Sequence, residues 1–232
     1  MIEGFKPDIL VWGSDAMDMG IISKHARNCK LPSVDDELQD EKKKRSALKQ
    51  VAPDASMWWL QDNHTTERYS KYVWNNAPKI ADLEAVQFHS VIDWPAKRII
   101  SEYQAGDTLR VIHGSYVVQA PGASVLKEMM SPANRRGRII RSVMSGHVHR
   151  WAHISLDNGL EGLECGTLQN LNPQYMRDLR QNTNWSHGMG FAIFGKDWSR
   201  IIPARFVVKR SHLTTVVEGQ EYRVKLGPSY SG

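Results

Sequence analysis

The chain has 232 residues, with 30 Lys and Arg against 25 Asp and Glu for a formal net charge of +5; 41% of residues are hydrophobic and 24% charged. That length fits one large domain better than two, and the hydrophobic fraction excludes a disordered or collagen-like chain. The apolar runs fall far short of the roughly 18 residues a membrane span needs, and the first residues, among them Glu3, Lys6, Pro7 and Asp8, lack the layout of a secretory signal, so a cytoplasmic protein with no membrane partner is expected.

Residues 8–12 predict a buried strand that ends at Gly13 and delivers residues 14–18 to a sheet edge. Ser33 followed by Asp36 has the form of a helix capping box. Acids at 35–41 precede bases at 42–45 in the sense that suits the helix dipole, so a helix is expected over Val34–Val51, stopped by Pro53. Its charge blocks read as a solvated face rather than an interaction tract. Ser56–Leu60 is the next strand, followed by the polar Gln61-Asp62-Asn63-His64 and a helix through Trp74. Leu109–Ile112 leads to His113-Gly114, and residues 139–144 lead to Ser145-Gly146-His147-Val148-His149. Beyond Trp151, short strand-like segments at 160–164, 190–194, 204–208, 214–217 and 222–226 alternate with Gly, Asn and Pro turns, which makes that half mainly β. No repeat or low-complexity tract marks a second domain, so residues 1–232 read as a single α/β domain. Cys29 and Cys165 belong to no CxxC pair and read as structural thiols.

Four apolar runs therefore end in Asp or His clusters. In sheets built from parallel βαβ units, ligands bind beyond the carboxyl ends of the strands, where these clusters would converge. Asp15 offers a carboxylate able to bridge two cations, Asn63 a neutral carbonyl oxygen, and His113, His147 and His149 imidazole nitrogens. This mixed set suits Mn, Fe or Zn and fits calcium poorly. His147 and His149 lie two apart, so a regular strand would point them to one face and a turn would aim them at neighbouring metals. Gly13-Ser14-Asp15 does not supply G-x-G-x-x-G, which sets aside a Rossmann-type nucleotide binder. Asn134-Arg135-Arg136-Gly137-Arg138 and Arg150-Trp151 interleave basic and aromatic residues in a way that can meet phosphates and bases, although a basic loop and a core Trp is the simpler reading.

The succession Ser14-Asp15-Ala16-Met17-Asp18, Asp62-Asn63-His64, His113-Gly114 and Gly146-His147-Val148-His149 resembles the calcineurin-like metallophosphoesterase superfamily, whose patterns are G-D-x-x-D, G-N-H-D/E, a lone His before Gly, and G-H-x-H. The resemblance runs from Lys6 to the C-terminus. Residues 63–83, with Thr66-Glu67-Arg68, Tyr69 and Ala77-Pro78, are most similar to phage and bacterial members of unassigned substrate, whose compartment would be the host cytoplasm if phage-encoded. The resemblance implies a four-layer α-β-β-α sandwich and metal-dependent hydrolysis of phosphomonoester or phosphodiester bonds, with nucleic acids or nucleotides as the expected substrates. It further implies that Asp15 bridges two metals, that Asn63, His113 and His147 complete one site, and that His149 serves the other. His64 would protonate the leaving oxygen, with Asp18 orienting its imidazole. A divalent transition metal is expected, Mn2+ first, with Fe, Zn or Ni as alternatives.

The chain departs from the family at several points. Ser14 and Asp62 stand where the family has glycines, and Thr65 replaces the usual acid after the histidine. Met19-Gly20 occupies the place of the Arg-Gly of protein Ser/Thr phosphatases, which disfavours that subgroup. The family's opening D-x-H is absent, so the metal held by His149 keeps only Asp15 and His149; one tight site and a second, weak or incomplete one are expected. Three readings stand side by side: a start upstream of Met1, operation with one well-held metal, or loss of catalysis. The alternative function is accordingly a catalytically impaired, single-metal member that holds nucleic acid on its basic surface. With the first family strand missing, residues 8–12 would leave an open sheet edge that invites self-association.

Overall fold

The computed structural model describes residues 2–13, 15, 17–23, 31–136, 139–169, 171, 184–209 and 211–226 and is of mixed α/β class with several sheets. Ser14, Ala16, Cys29, Gly137 and Arg138 lie outside the described residues. The chain divides into two units, Met1–Tyr103 and Gln104–Gly232, taken here in turn. No helix among the described residues is long and apolar enough to cross a membrane.

In the first unit, helix α1 (Ile2–Phe5) leads to β1 (Ile9–Trp12), and α2 (Val34–Val51) follows with the bounds its sequence predicts. The capping box forms: the Asp36 backbone donates to Ser33 Oγ at 3.1 Å, and the Ser33 backbone donates to Asp36 Oδ2 at 3.0 Å. Two otherwise orphaned amides are thereby satisfied. Strand β2 (Ser56–Leu60), helices α3 (Thr66–Asn76) and α4 (Phe88–Val91), and the short β3 (Ile99–Ile100) complete the unit. The sheet order is β1-β2-β3, all parallel, with Trp12 opposite Trp59 and Trp59 opposite Ile99. Trp59 is fully buried and meets Phe88 and Trp94 edge-on, with centroids 5.6 and 5.4 Å apart, a favoured aromatic geometry. Val34, Leu38 and Leu48, spaced at helical repeats, seat one face of α2 on this cluster. Strand β1 pairs with β2 on one side, and no strand among the described residues pairs with its other side.

In the second unit, β4 (Glu102–Ala105) and β5 (Leu109–Ile112) precede α5 (Ala123–Met130). The predicted strand at 139–144 divides: β6 (Arg135–Arg136) and β7 (Ile139–Ile140) pair with each other, whereas β8 (Ser142–Ser145) joins the main sheet. The break falls at Arg141, which is buried and donates from Nη2 to Ala133 O at 3.0 Å and from Nε to Asn134 O at 3.3 Å. Satisfying a buried guanidinium outweighs strand continuity there. Next come β9 (Trp151–Ser155) and β10 (Glu161–Cys165), giving a five-stranded sheet ordered β4-β5-β8-β10-β9 in which β5, β8 and β10 run parallel and β9 antiparallel. Helix α5 packs on this sheet through Val125 and Met129, against Ile112, Val143 and Ile154.

Strands β11 (Gly188–Phe194) and β12 (Ser199–Arg205) form an antiparallel pair, and β13 (Val207–Lys209), β14 (His212–Val217) and β15 (Gln220–Lys225) a three-stranded meander. The predicted strand at 204–208 is thus two strands, parted at Phe206, whose N–H donates to His187 O at 3.0 Å. Cys165 is a free thiol that burial pushes up to about 12, which suits a structural rather than a reactive role.

Candidate functional site

In each unit, parallel strands bring their carboxyl ends to one edge, and the predicted site residues follow those ends. After β1 comes Asp15, 3% exposed and in the left-handed region at φ 51°, a conformation uncommon for a residue with a Cβ. Its backbone N–H donates to Asp62 Oδ2 at 3.1 Å. Met19, also left-handed at φ 50°, donates its N–H to Glu37 Oε2 on α2 at 2.8 Å. Two backbone positions that resist ordinary dihedrals are thus each held by a carboxylate from a later element.

The two departures after β2 take part in the same fastening. Asp62 Oδ1 accepts the N–H of Thr65, and the Thr65 hydroxyl donates to Met17 O at 2.8 Å. Asp62 therefore does what a glycine cannot: its buried carboxylate serves the loop after β1 and the start of α3 together. Burial, and then the nearby Asp15 carboxylate, push Asp62 up to about 6. Burial also raises Glu37. Asn63 is exposed in the turn between Asp62 and His64.

His64 and Asp18, 46 positions apart, meet: His64 Nδ1 lies 2.9 Å from Asp18 Oδ1. With Nδ1–H donated to the carboxylate, Nε2 is left clear of this hydrogen bond. Burial lowers the His64 pKa, but the hydrogen bond to Asp18 and the Asp15 charge outweigh it, and the net direction is upward. Asp18 is raised by burial and lowered by His64 and Arg68, with a net fall. The pair favours its charged form. Arg68 is the residue sequence reasoning missed: its Nη1 donates to the backbone carbonyl of Asp18 and lies 3.3 Å from Asp18 Oδ1. A signal was present, since position 68 falls four residues after His64 at the start of a helix, on the same face.

In the second unit, His113 follows β5, and residues 146–149 follow the parallel neighbour β8. The N–H groups of Gly146 and His147 both donate to His113 O at 3.0 Å. His113 Nε2 and His147 Nδ1 lie 2.9 Å apart. Gly114, at φ 106°, permits the approach, because a Cβ there would stand 3.3 Å from the Cβ of His147. Glu128 on α5 fixes the next turn by accepting the N–H groups of Ser115 and Tyr116. His149 is buried in the left-handed region at φ 56°, its ring edge-on to Trp185 with centroids 4.5 Å apart.

The 2.9 Å between His113 Nε2 and His147 Nδ1 is a hydrogen-bond distance, whereas two nitrogens on one tetrahedral ion with bonds of about 2.0–2.1 Å stand about 3.3 Å apart. Among the described residues no group of three or more His, Cys, Asp or Glu side chains is already gathered as a metal cage.

Arg150 does not present itself to phosphates. It is buried, its Nη1 donates to Gln119 O at 2.5 Å, and its Nη2 donates to Val118 O. It pins the loop before α5, whose first amides, Ser124 and Val125, donate to the buried Glu164 at 3.1 and 3.4 Å. Trp151 is half-buried beneath the Arg205 guanidinium, 5.7 Å from its ring. The simpler reading of Arg150-Trp151 as packing is the one the structure supports.

Comparison with known protein families, curated proteins and solved structures finds no match to the chain.

Proposed function

We propose that the protein is a metal-dependent phosphoesterase that hydrolyses phosphodiester or phosphomonoester bonds, with nucleic acids or nucleotides as its substrate class. The observation that carries this reading is the His64–Asp18 hydrogen bond of 2.9 Å, a dyad assembled from two strand ends. In this reading Asp15, Asn63, His113, His147 and His149 supply the metal ligands, and Mn2+ is the favoured ion. The fold that belongs to it is the four-layer α-β-β-α sandwich, and the compartment is cytoplasmic.

When bound, divalent metal supplies charge neutralisation at the phosphoryl group and a water nucleophile at neutral pH. The residues of the chain do the rest. His64 presents its Nε2 proton to the leaving oxygen, and Asp18 holds the ring through Nδ1. Arg68, by binding the backbone and carboxylate of Asp18, keeps that support in place.

The test is a scan of chromogenic phosphate mono- and diesters with Mn2+-loaded protein, alongside His64→Ala and a chelated control. Turnover that depends on metal and falls in His64→Ala is the expected result. No turnover above the chelated control on either ester class overturns the reading, and retained oligonucleotide binding in that case favours the impaired, nucleic-acid-holding alternative.

A further inference from the structure

We infer that one face of the β13–β15 meander is a docking surface for the phosphate backbone of duplex DNA. The register places Lys209, His212 and Lys225 side by side across all three strands, and Val207, Thr214 and Arg223 in the next row of the same face, since directly opposed residues share a face and alternate positions return to it. The opposite face is the packed one: Thr215 and Val217 of β14 are 4% and 2% exposed. Lys209, Arg223 and Lys225 are exposed.

Three cations share this small face with one carboxylate, Glu221 in the row beyond Arg223, and like charges gathered on one sheet face cost stability. Some exposed cations elsewhere are matched, as in Lys44 with Asp40, Lys71 with Glu67 and Arg200 with Glu218, at 2.6, 2.8 and 2.9 Å. Among the described residues no carboxylate pairs with Lys209, Arg223 or Lys225. Arg223 Nη2 instead lies 3.2 Å from His212 Nδ1, as does Ser211 Oγ. The row presents lysines on both sides of an imidazole, with a guanidinium beside it.

Unsatisfied positive charge with hydrogen-bond donors matches a phosphate lattice. No Trp, Tyr or Phe ring lies in these rows to stack unpaired bases, which separates the face from single-strand platforms. It also lacks the Trp or Phe anchors of a membrane-surface element. A duplex, with its bases turned inward and phosphates outward, is the polyanion this chemistry fits, and the contact is independent of sequence.

The experiment is fluorescence anisotropy of a labelled mixed-sequence DNA duplex with the full chain in chelator, so that binding is read without metal or turnover and stands apart from the proposed hydrolysis. With three phosphate contacts the slope of log affinity against log salt is about −2.7, a loss of roughly 40-fold between 50 and 200 mM. Lys209→Gln/Lys225→Gln should weaken binding by about tenfold at low salt and flatten that slope by about two contacts. Lys209→Arg/Lys225→Arg should preserve both. Because these side chains are exposed, circular dichroism and the thermal midpoint should show the Gln variant folded, with a midpoint equal to or above wild type. Equal binding by the Gln variant overturns the inference, as does preference for single-stranded DNA or binding only to anionic vesicles.

Discussion

Asp62 Oδ2 accepts the backbone N–H of Asp15 at 3.1 Å, which ties the first candidate ligand to the turn that carries Asn63 and His64. Asp62 Oδ1 serves Thr65 at the start of α3 at the same time. Asp62→Ala strands two buried donors and should lower unfolding stability by about 1–3 kcal/mol, the usual penalty for unmet buried groups. Asp62→Asn keeps one acceptor and should lose less. Urea denaturation of the two variants checks the order; equal stability of Asp62→Ala and wild type would show the tie to be idle.

His64→Ala should reduce turnover by about two to four orders of magnitude, the range for a positioned general acid, while bound metal stays constant. Asp18→Asn should cost less, because its side-chain oxygen still accepts from Nδ1 but no longer supports the imidazolium. Full activity in His64→Ala on a substrate with a poor leaving group would remove His64 from the mechanism.

Much of the chain that positions these groups was legible beforehand, and the reasons are local. Ser33 with Asp36, and Pro53 after the last turn, specify α2 without reference to any partner. The apolar runs of β1, β2, β5 and β8 end at polar clusters, and the fold sets Asp18 beside His64 and His113 beside His147 at those ends. What was hidden depends on partners distant in sequence. Asp62 reads as a missing glycine until its carboxylate is seen to hold Asp15, and Arg141 interrupts a continuous apolar run only because Ala133 and Asn134 wait for its guanidinium. The division of 204–208 at Phe206 depends on His187 in the same way.

His147→Ala should strip the more tightly held metal, since it breaks the nitrogen pair with His113, and His149→Ala should affect mainly a weaker ion. Elemental analysis after exhaustive dialysis measures both. Two slowly exchanging ions in His147→Ala would refute the assignment.

No strand among the described residues pairs with the side of β1 away from β2, and open edges of this kind pair with other chains. Sedimentation velocity over a concentration series should show self-association, and Val11→Pro, which removes a backbone donor in this strand, should reduce it. A protein that stays monomeric at every concentration would remove this edge as a contact.

Glu41 supplies the pH dependence. It is 0% exposed on the inner face of α2, and neither carboxyl oxygen has a hydrogen-bond partner among the described residues. The nearest cation, Arg45, keeps Nε 3.9 Å away and spends Nη1 on the carbonyls of Ile92 and Asp93. Burial, only partly offset by Arg45 and neighbouring lysines, raises the Glu41 pKa. A carboxyl raised in the folded state contributes stability that is fully present below the unfolded glutamate value of about 4.3 and is lost as pH rises through the folded value. Glu41→Gln removes the ionised form, so its thermal midpoint should match wild type in acid and exceed it at neutrality, the gap opening above the ordinary glutamate range. A constant gap across that range would mean that Glu41 ionises in the fold as readily as in the unfolded chain.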